Sequence, residues 1–250
     1  MKKTEFKSNL EIAEEWDEIA HIRHQQIKNE SDISFHRILM PNIIKIIEEI
    51  DNPFKTIIDI GCGTGYLTQE ISKYATNVIG VDISEKSIEI ANQEYGYIDN
   101  ISFKKISIEE TDCGSIGKFT LAVANMVLMD IPDLNNSMAA LSDILTKDAN
   151  FIFTITHPFF WSKYWGYDNE DWYNYDEEIF VESAFKISNE STNKMTSHIH
   201  RPLSMYFQTL KANGFKIIDV SEPMPSEEVL KLYPKVWEYP RFLIIHCKIS

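Results

Sequence analysis

Nowhere in the 250 residues does an apolar run approach the roughly 20 consecutive positions that a membrane-spanning helix needs. The opening residues, Met1-Lys2-Lys3-Thr4-Glu5, turn polar at once and lack the apolar stretch of a signal peptide. Cysteine is scarce: Cys62, Cys113 and Cys247 form an odd, widely spaced set with neither metal-ligand nor disulfide-framework spacing. That usage points to a reducing compartment, and a cytoplasmic location is expected. Positive charge is in short supply, with 24 Lys+Arg against 38 Asp+Glu and a net charge of −14. Binding to phosphate backbones demands a basic face, so a general nucleic-acid binder is disfavoured, although the total does not exclude a local basic patch. Internal repeats and low-complexity segments are also absent. What is present, 44% hydrophobic and 25% charged residues, excludes wholesale disorder and suits one globular domain.

Residues 10–28 are rich in helix formers, with Ala13, Trp16 and Ala20 on one stripe, and predict an amphipathic helix. A second helical pattern runs through Ile43, Ile44, Ile46, Ile47 and Ile50, with Pro41 near its start and Asn52-Pro53 as its stop. The period then changes. Residues 56–60 predict a buried strand, 66–74 a helix, 78–83 a strand and 85–94 a helix capped by Ser84. Further strands are expected over 101–106, 119–124 and 151–156, with a helix over 136–147. This alternation implies an α/β fold of the Rossmann-like, doubly wound kind, a mostly parallel sheet covered by helices on both faces.

The pattern breaks after Thr156. Residues 157–175 hold nine aromatics in nineteen positions, and 179–187 with 194–200 predict a hairpin. A helix over 202–212, stopped by Gly214, and strands over 215–220 and 242–249 bring the sheet to seven strands. The expected organisation is one domain: N-terminal helices to residue 52, a cofactor-binding core over 53–156, an inserted lid over 157–200, and a closing helix and strands over 201–250. An insertion over the sheet's edge is where such folds select substrates.

Three of the nine glycines fall in Asp59-Ile60-Gly61-Cys62-Gly63-Thr64-Gly65, after a strand and before a helix, where glycine lets a ligand approach the backbone. Asp82, in Val81-Asp82-Ile83, lies seventeen residues beyond Gly65 at the end of the second predicted strand of the core. A carboxylate there accepts hydrogen bonds from ribose hydroxyls. A dinucleotide fingerprint would place its third glycine where Tyr66 stands, and Asp59 suits a cationic amine better than a pyrophosphate. The ligand implied has an adenosine at one end and an ammonium or sulfonium at the other. Cys62 reads as a small filler between the glycines.

The segment Ile57 to Gly65 resembles the first motif of the class I S-adenosylmethionine-dependent methyltransferases. Gly80-Val81-Asp82-Ile83-Ser84 and Asn125-Met126-Val127-Leu128-Met129-Asp130-Ile131 agree with it in order. His200-Arg201-Pro202-Leu203 and Ala212-Asn213-Gly214-Phe215 are similar to the small-molecule, ubiquinone/menaquinone-methyltransferase-like group, and the likeness runs over about residues 10–250. The resemblance implies S-adenosylmethionine as cofactor. Gly61, Gly63 and Gly65 would line its methionine part, Asp59 would face its amino group, Asp82 its ribose and Ile83 its adenine. Asn125 would close the site through its backbone. Ser107 and Ile108 stand where the family has an aspartate before an adenine-contacting amide, and Arg37 is a candidate for the cofactor carboxylate.

Methyl transfer from a sulfonium needs alignment, exclusion of water and, for a hydroxyl or protonated amine, a base. His157, just past the fifth strand of the sheet, is the first candidate and His200 the second. His198 shares a strand face with His200 by two-residue alternation. No acidic partners stand at metal-ligand spacing, so no metal is expected. The rings of the insertion, among them Phe160, Trp161 and Trp165, are interspersed with Asp168, Glu170 and Asp171 and are suited to a flat or cationic small-molecule acceptor. Methylation of RNA or protein, a cofactor-binding module without catalysis, and a nicotinamide oxidoreductase are the alternatives. The acceptor, the atom methylated and the oligomeric state are left open.

Overall fold

A computed structural model of the chain describes residues 1–50, 54–187 and 190–250. A two-residue strand, β1 (Lys2–Lys3), precedes the long helix α1 (Asn9–Lys28). Ser8 starts α1 in a capping box: its side chain accepts from the Glu11 amide while Glu11 accepts from the Ser8 amide. The chain is already helical at Phe35, earlier than Pro41 suggested. Residues Phe35–Leu39 form a widened turn, with the Met40 amide donating to the Phe35 carbonyl, and lead into α2 (Met40–Glu49). Pro41 has no N–H to offer the carbonyl four residues back, and a wider turn accommodates that loss. The expected stop at Asn52-Pro53 lies outside the described residues.

The core follows as β2 (Phe54–Ile60), α3 (Tyr66–Ile71), β3 (Ala75–Asp82), α4 (Glu85–Tyr95), β4 (Ile101–Lys105), α5 (Cys113–Ile116), β5 (Phe119–Asn125), α6 (Leu134–Ile144) and β6 (Leu145–Thr156). Helix α6 ends earlier than its composition predicted, because Leu145 is drawn into pairing with Phe119 and the next residues already belong to β6. Beyond β6 come α7 (Phe160–Trp165), β7 (Ile179–Lys186) and β8 (Ser191–His200). The chain closes with α8 (Leu203–Ala212), β9 (Phe215–Ser221), α9 (Glu227–Leu230) and β10 (Phe242–Ile249).

Seven strands form one sheet in the order β4-β3-β2-β5-β6-β10-β9, parallel except for β10, which runs antiparallel to both neighbours. Its central strands are buried on both faces, which is why they read as unbroken apolar runs. Ile57, Leu121, Val123 and Ile152 face α2 and α3, whereas Ile58, Ala122, Ala124, Phe151 and Phe153 face α6 and α8. The strand order reverses between β3-β2 and β2-β5, opening a crevice at the carboxyl ends of those strands. Residues 157–200 form no part of this sheet: β7 and β8 pair as the expected hairpin, with β1 added at its edge. Among the described residues no helix is long and apolar enough to cross a membrane.

Several contacts bind the hairpin to the rest of the fold, and two of them lie at its end. The Ile199 amide donates to the Met129 carbonyl at 2.7 Å. Arg201, only 1% exposed, donates to the carbonyls of Leu128 (3.0 Å), Ile131 (2.6 Å) and Pro132 (3.1 Å) and pairs with Glu178. Removing such a group leaves three buried carbonyls and one carboxylate without their donor. Arg201→Ala is expected to lower the unfolding free energy by about 3–5 kcal/mol, with no rescue by lysine, whose single ammonium does not span three carbonyls. Urea denaturation followed by circular dichroism checks this; a loss under about 1 kcal/mol contradicts it.

Candidate active site

The crevice at the reversal of strand order is a cavity lined by the ends of β2, β3 and β5. The glycine loop turns through positive φ at Gly61 (63°), Gly63 (53°) and Gly65 (86°), but the three do different work. A Cβ on Gly61 would meet Val127 Cγ2 at 2.3 Å, so this glycine lets the loop after β5 pack closely. A Cβ on Gly65 would meet Phe103 at 2.8 Å, behind the loop, and Gly65 does not line the cavity as expected. At Gly63 a Cβ would meet no protein atom within 4 Å; it would project into open space. Gly63 is therefore where the missing side chain leaves room for a ligand.

Asp82 Oδ2 accepts from the Gly63 amide at 2.8 Å and its Oδ1 from the Ser84 amide at 2.8 Å, which locks the loop to the end of β3. Burial pushes the Asp82 carboxyl up to about 6; the two amides pull against it and Asp17 adds to it. Asp59 is 1% exposed and accepts from Thr68 Oγ1 at 2.6 Å. Burial pushes it up to about 7, the Thr68 hydroxyl opposes that, and the neighbouring Asp82 charge reinforces it. Cys62 lines the same cavity, and burial with the two aspartates holds its thiol well above the usual range, which suits a filler and not a nucleophile. Ile60, Val81, Ile83, Ile106, Ser107 and Ile108 complete the polar-and-apolar wall on the sheet side. The roof is α1, whose Asn9, Ile12, Trp16, Ala20, Arg23 and Ile27 lie along one helical stripe.

A second chamber adjoins the first. Trp16, Arg23, Phe35, Asn125, Met126 and Asp130 line both. Met126 holds φ 59°, an uncommon conformation for a side chain of its size, at the point where the chain leaves β5 between the chambers. The far side of the second chamber is built from the insertion: Trp161, Tyr164, Trp165, Phe185, Lys186 and His198. His198 Nδ1–H donates to Asp130 Oδ1 at 2.6 Å, on the wall shared with the glycine-loop cavity. Burial pulls the imidazole down, but the Asp130 charge and hydrogen bond, with Glu15 behind them, outweigh it and hold its pKa above 6.5.

The two histidines expected as bases lie elsewhere. His157 Nε2 meets Glu222 at 2.8 Å, its Nδ1 accepts from the Phe159 and Phe160 amides, and it lines neither chamber. Its place just after β6 serves to start α7. His200 donates to the Tyr175 carbonyl at 3.1 Å among the rings of Tyr167, Tyr173 and Tyr175, and burial lowers its pKa. Arg37 is on the solvent side of the widened turn, paired with Glu30 at 2.7 Å; the arginine that reaches the cavity is Arg23. Phe160 stacks on Tyr239 outside both chambers, whereas Trp161, Trp165 and His198 do line the second. Asp168, Glu170 and Asp171 line neither, so the expected interleaving of rings with carboxylates is not what the fold presents. Arg23, Tyr66 and Asp130 also line the cavity, and of these only Asp130 falls within a family-like segment of the sequence, the one after β5. Among the described residues no cluster of His, Cys, Asp and Glu is placed to hold a metal ion.

A family model described as a methyltransferase domain matches residues 51–202, more than half of the chain, and the chain belongs to that family. Among individual proteins, it is 27% identical over 105 residues to the ubiquinone biosynthesis O-methyltransferase of Bordetella avium, across 41% of this chain and 42% of that one. The matched region thus spans about two fifths of that relative's length. The fold is shared with an S-adenosylmethionine-dependent methyltransferase from Clostridium acetobutylicum (TM-score 0.63, 21% identity, 94% of this chain and 99% of that one). It is shared as well with the 1,6-didemethyltoxoflavin-N1-methyltransferase of Burkholderia thailandensis (TM-score 0.62, 14% identity, 100% and 93%).

The raised pKa of Asp59 makes a stability prediction. A carboxyl at about 7 when folded and near 3.8 when unfolded contributes its full stability only below about pH 4, and that contribution is lost as the pH rises to 7. Asp59→Asn mimics the neutral form. It is expected to match the wild type near pH 4 and, without ligand, to melt roughly 5 °C higher at pH 8. Scanning calorimetry across that range checks it; equal melting at pH 8 contradicts it.

Proposed function

We propose that this protein transfers a methyl group from S-adenosylmethionine to an oxygen or nitrogen of a small aromatic molecule held in the second chamber. One observation carries the reading: the glycine-loop cavity and the aromatic chamber share a wall that includes Asp130, and Asp130 holds His198 on the second chamber's side of it. The residues of the first cavity fit the cofactor. Gly63 leaves open space, Asp82 offers two acceptor oxygens at the end of β3 for the ribose, and Asp59 places a carboxyl for a cationic group. Ile83 and Ile108 supply an apolar bed for the adenine. When bound, S-adenosylmethionine supplies a methyl on a sulfonium, already activated for in-line displacement.

The chain's own part is to align, to exclude water and to move one proton. Asp130 holds the imidazole through Nδ1 and leaves Nε2 to take the proton from the acceptor as its new bond to the methyl forms. Residues 157–200 act as the lid that walls off this chamber, Trp161 and Trp165 from α7 and Phe185 from the hairpin. A small acceptor agrees with the relative's role in ubiquinone biosynthesis. A polynucleotide is disfavoured by a net charge of −14.

Calorimetric titration with S-adenosylmethionine, S-adenosylhomocysteine and NADH tests the cofactor. Micromolar binding of the two adenosyl ligands, lost in Asp82→Ala and absent for NADH, is expected; folded protein that binds neither overturns the reading. His198→Ala is expected to lower turnover about 10²–10³-fold with little change in cofactor affinity, and His157→Ala to act mainly on stability. Because the base works unprotonated and its pKa is raised, turnover should climb with pH through an inflection above 6.5, which Asp130→Asn moves to lower pH. A larger turnover loss in His157→Ala than in His198→Ala refutes the assignment.

A further inference from the structure

The second chamber has an unusual charge for a protein so acidic. Four of its charged groups stand in pairs: Arg23 meets Asp32 through Nη2 at 2.6 Å, its Nη1 being buried without a partner, and His198 meets Asp130. Two cations on its lining are not. Lys186, at the exposed rim, has its ammonium 6.0 Å from the centre of the Trp165 ring, and among the described residues no carboxylate meets it. Arg241, only 7% exposed, is the stronger case. Its guanidinium lies 4.1 Å from the centre of the Tyr164 ring and 4.4 Å from that of Trp237, with Tyr233 at 5.7 Å.

Rings compensate part of a buried positive charge, but they offer their faces, not lone pairs in the plane of the fork. Among the described residues no oxygen accepts from any Arg241 N–H. Nor is any of its nitrogens among the sealed, unpartnered polar atoms of the interior, so the donors stay accessible on a residue that lines the chamber. Burial holds this guanidinium below its usual pKa, as expected of a cation without a counter-charge. A planar, five-donor fork fixed by aromatic walls matches a carboxylate in two parallel hydrogen bonds.

We propose that the methyl acceptor is an aromatic carboxylate, with Arg241 receiving its carboxylate and Lys186 drawing the anion to the chamber's mouth. This rests on reading the second chamber as the acceptor site. The carboxylate is the anchor, and the hydroxyl or amine to be methylated stands toward His198. Arg241 is thus a specificity-determining residue, and the chamber selects anions where the sequence of the insertion, with its aspartates and glutamate, suits a flat or cationic acceptor.

The test is calorimetric titration of the full chain, saturated with S-adenosylhomocysteine, with three para-substituted phenols that differ in charge: 4-hydroxybenzoate, its neutral amide and the cation tyramine. The carboxylate is expected to bind at least about tenfold more tightly than the amide, with tyramine weakest. Arg241→Gln should bring carboxylate and amide within about twofold while leaving S-adenosylhomocysteine affinity unchanged, and Arg241→Lys should restore only part of the preference. Should Arg241→Gln not fold, Lys186→Gln at the exposed rim is expected to cut the preference about two- to threefold. Equal binding of carboxylate and amide by the wild type overturns the inference, as does a preference that survives Arg241→Gln. If the amide binds and the carboxylate gains nothing, only this inference falls. If S-adenosylhomocysteine does not bind, or none of the three aromatics does, the reading of the chambers falls and takes this one with it.

Discussion

The buried guanidinium of Arg201 organises the side of the molecule on which the second chamber lies. Three carbonyls from residues 128–132 and one carboxylate from Glu178 converge on it, and the Ile199 amide adds a fourth tie to the same loop. Carbonyls turned toward the interior need donors, and the guanidinium supplies them. The loop after β5 and the end of β8 are therefore held together, with Asp130 inside the clamped segment and His198 immediately before Ile199 and three residues before Arg201. The 2.6 Å contact of His198 with Asp130 follows from that clamp. This side chain thus helps to couple the insertion to the core and braces the loop that carries Asp130.

The same economy governs the glycine-loop cavity. Asp82 bridges the Gly63 and Ser84 amides, so the loop, the end of β3 and the start of α4 form one unit. Asp17 of α1 accepts in turn from the Ser84 hydroxyl and the Lys86 amide, which seats the roof helix on that unit. Glu15, two residues away on α1, accepts from the Ser197 amide and hydroxyl on β8. Helix α1 consequently spans from the cofactor side to the hairpin. Two carboxyls whose pKa values burial raises to about 7 and about 6 inside this arrangement cost stability at neutral pH. Strain at Met126 belongs with them: the site is held ready at the expense of the empty protein.

Much of this was legible in the chain. The alternation of strand and helix, the glycine loop, Asp82 at the end of β3 and the Ser84 cap are local patterns, each dictated by a few neighbouring residues, and they name the fold and the first cavity. The misjudged residues depend on direction. Arg37 and Arg23 are both arginines on helical segments, and only the packing of α1 across the crevice decides which one faces in. His157 stands at the right end of the sheet, yet the start of α7 and Glu222 consume both its nitrogens.

What the sequence by itself determined is therefore the class of fold, the order of its elements and the ligand-binding loop, since these rest on periodicity and on backbone conformations that glycine and a short strand impose. Only the tertiary structure decided the second chamber. Asp130 and His198 are 68 residues apart, and Arg241 is farther along still. Their meeting depends on β10 inserting between β6 and β9, on the hairpin leaving the sheet, and on Arg201 tying it back. Charge selection at that chamber likewise follows from which side chains are already paired, and pairing across such distances is set by packing, which no local pattern encodes.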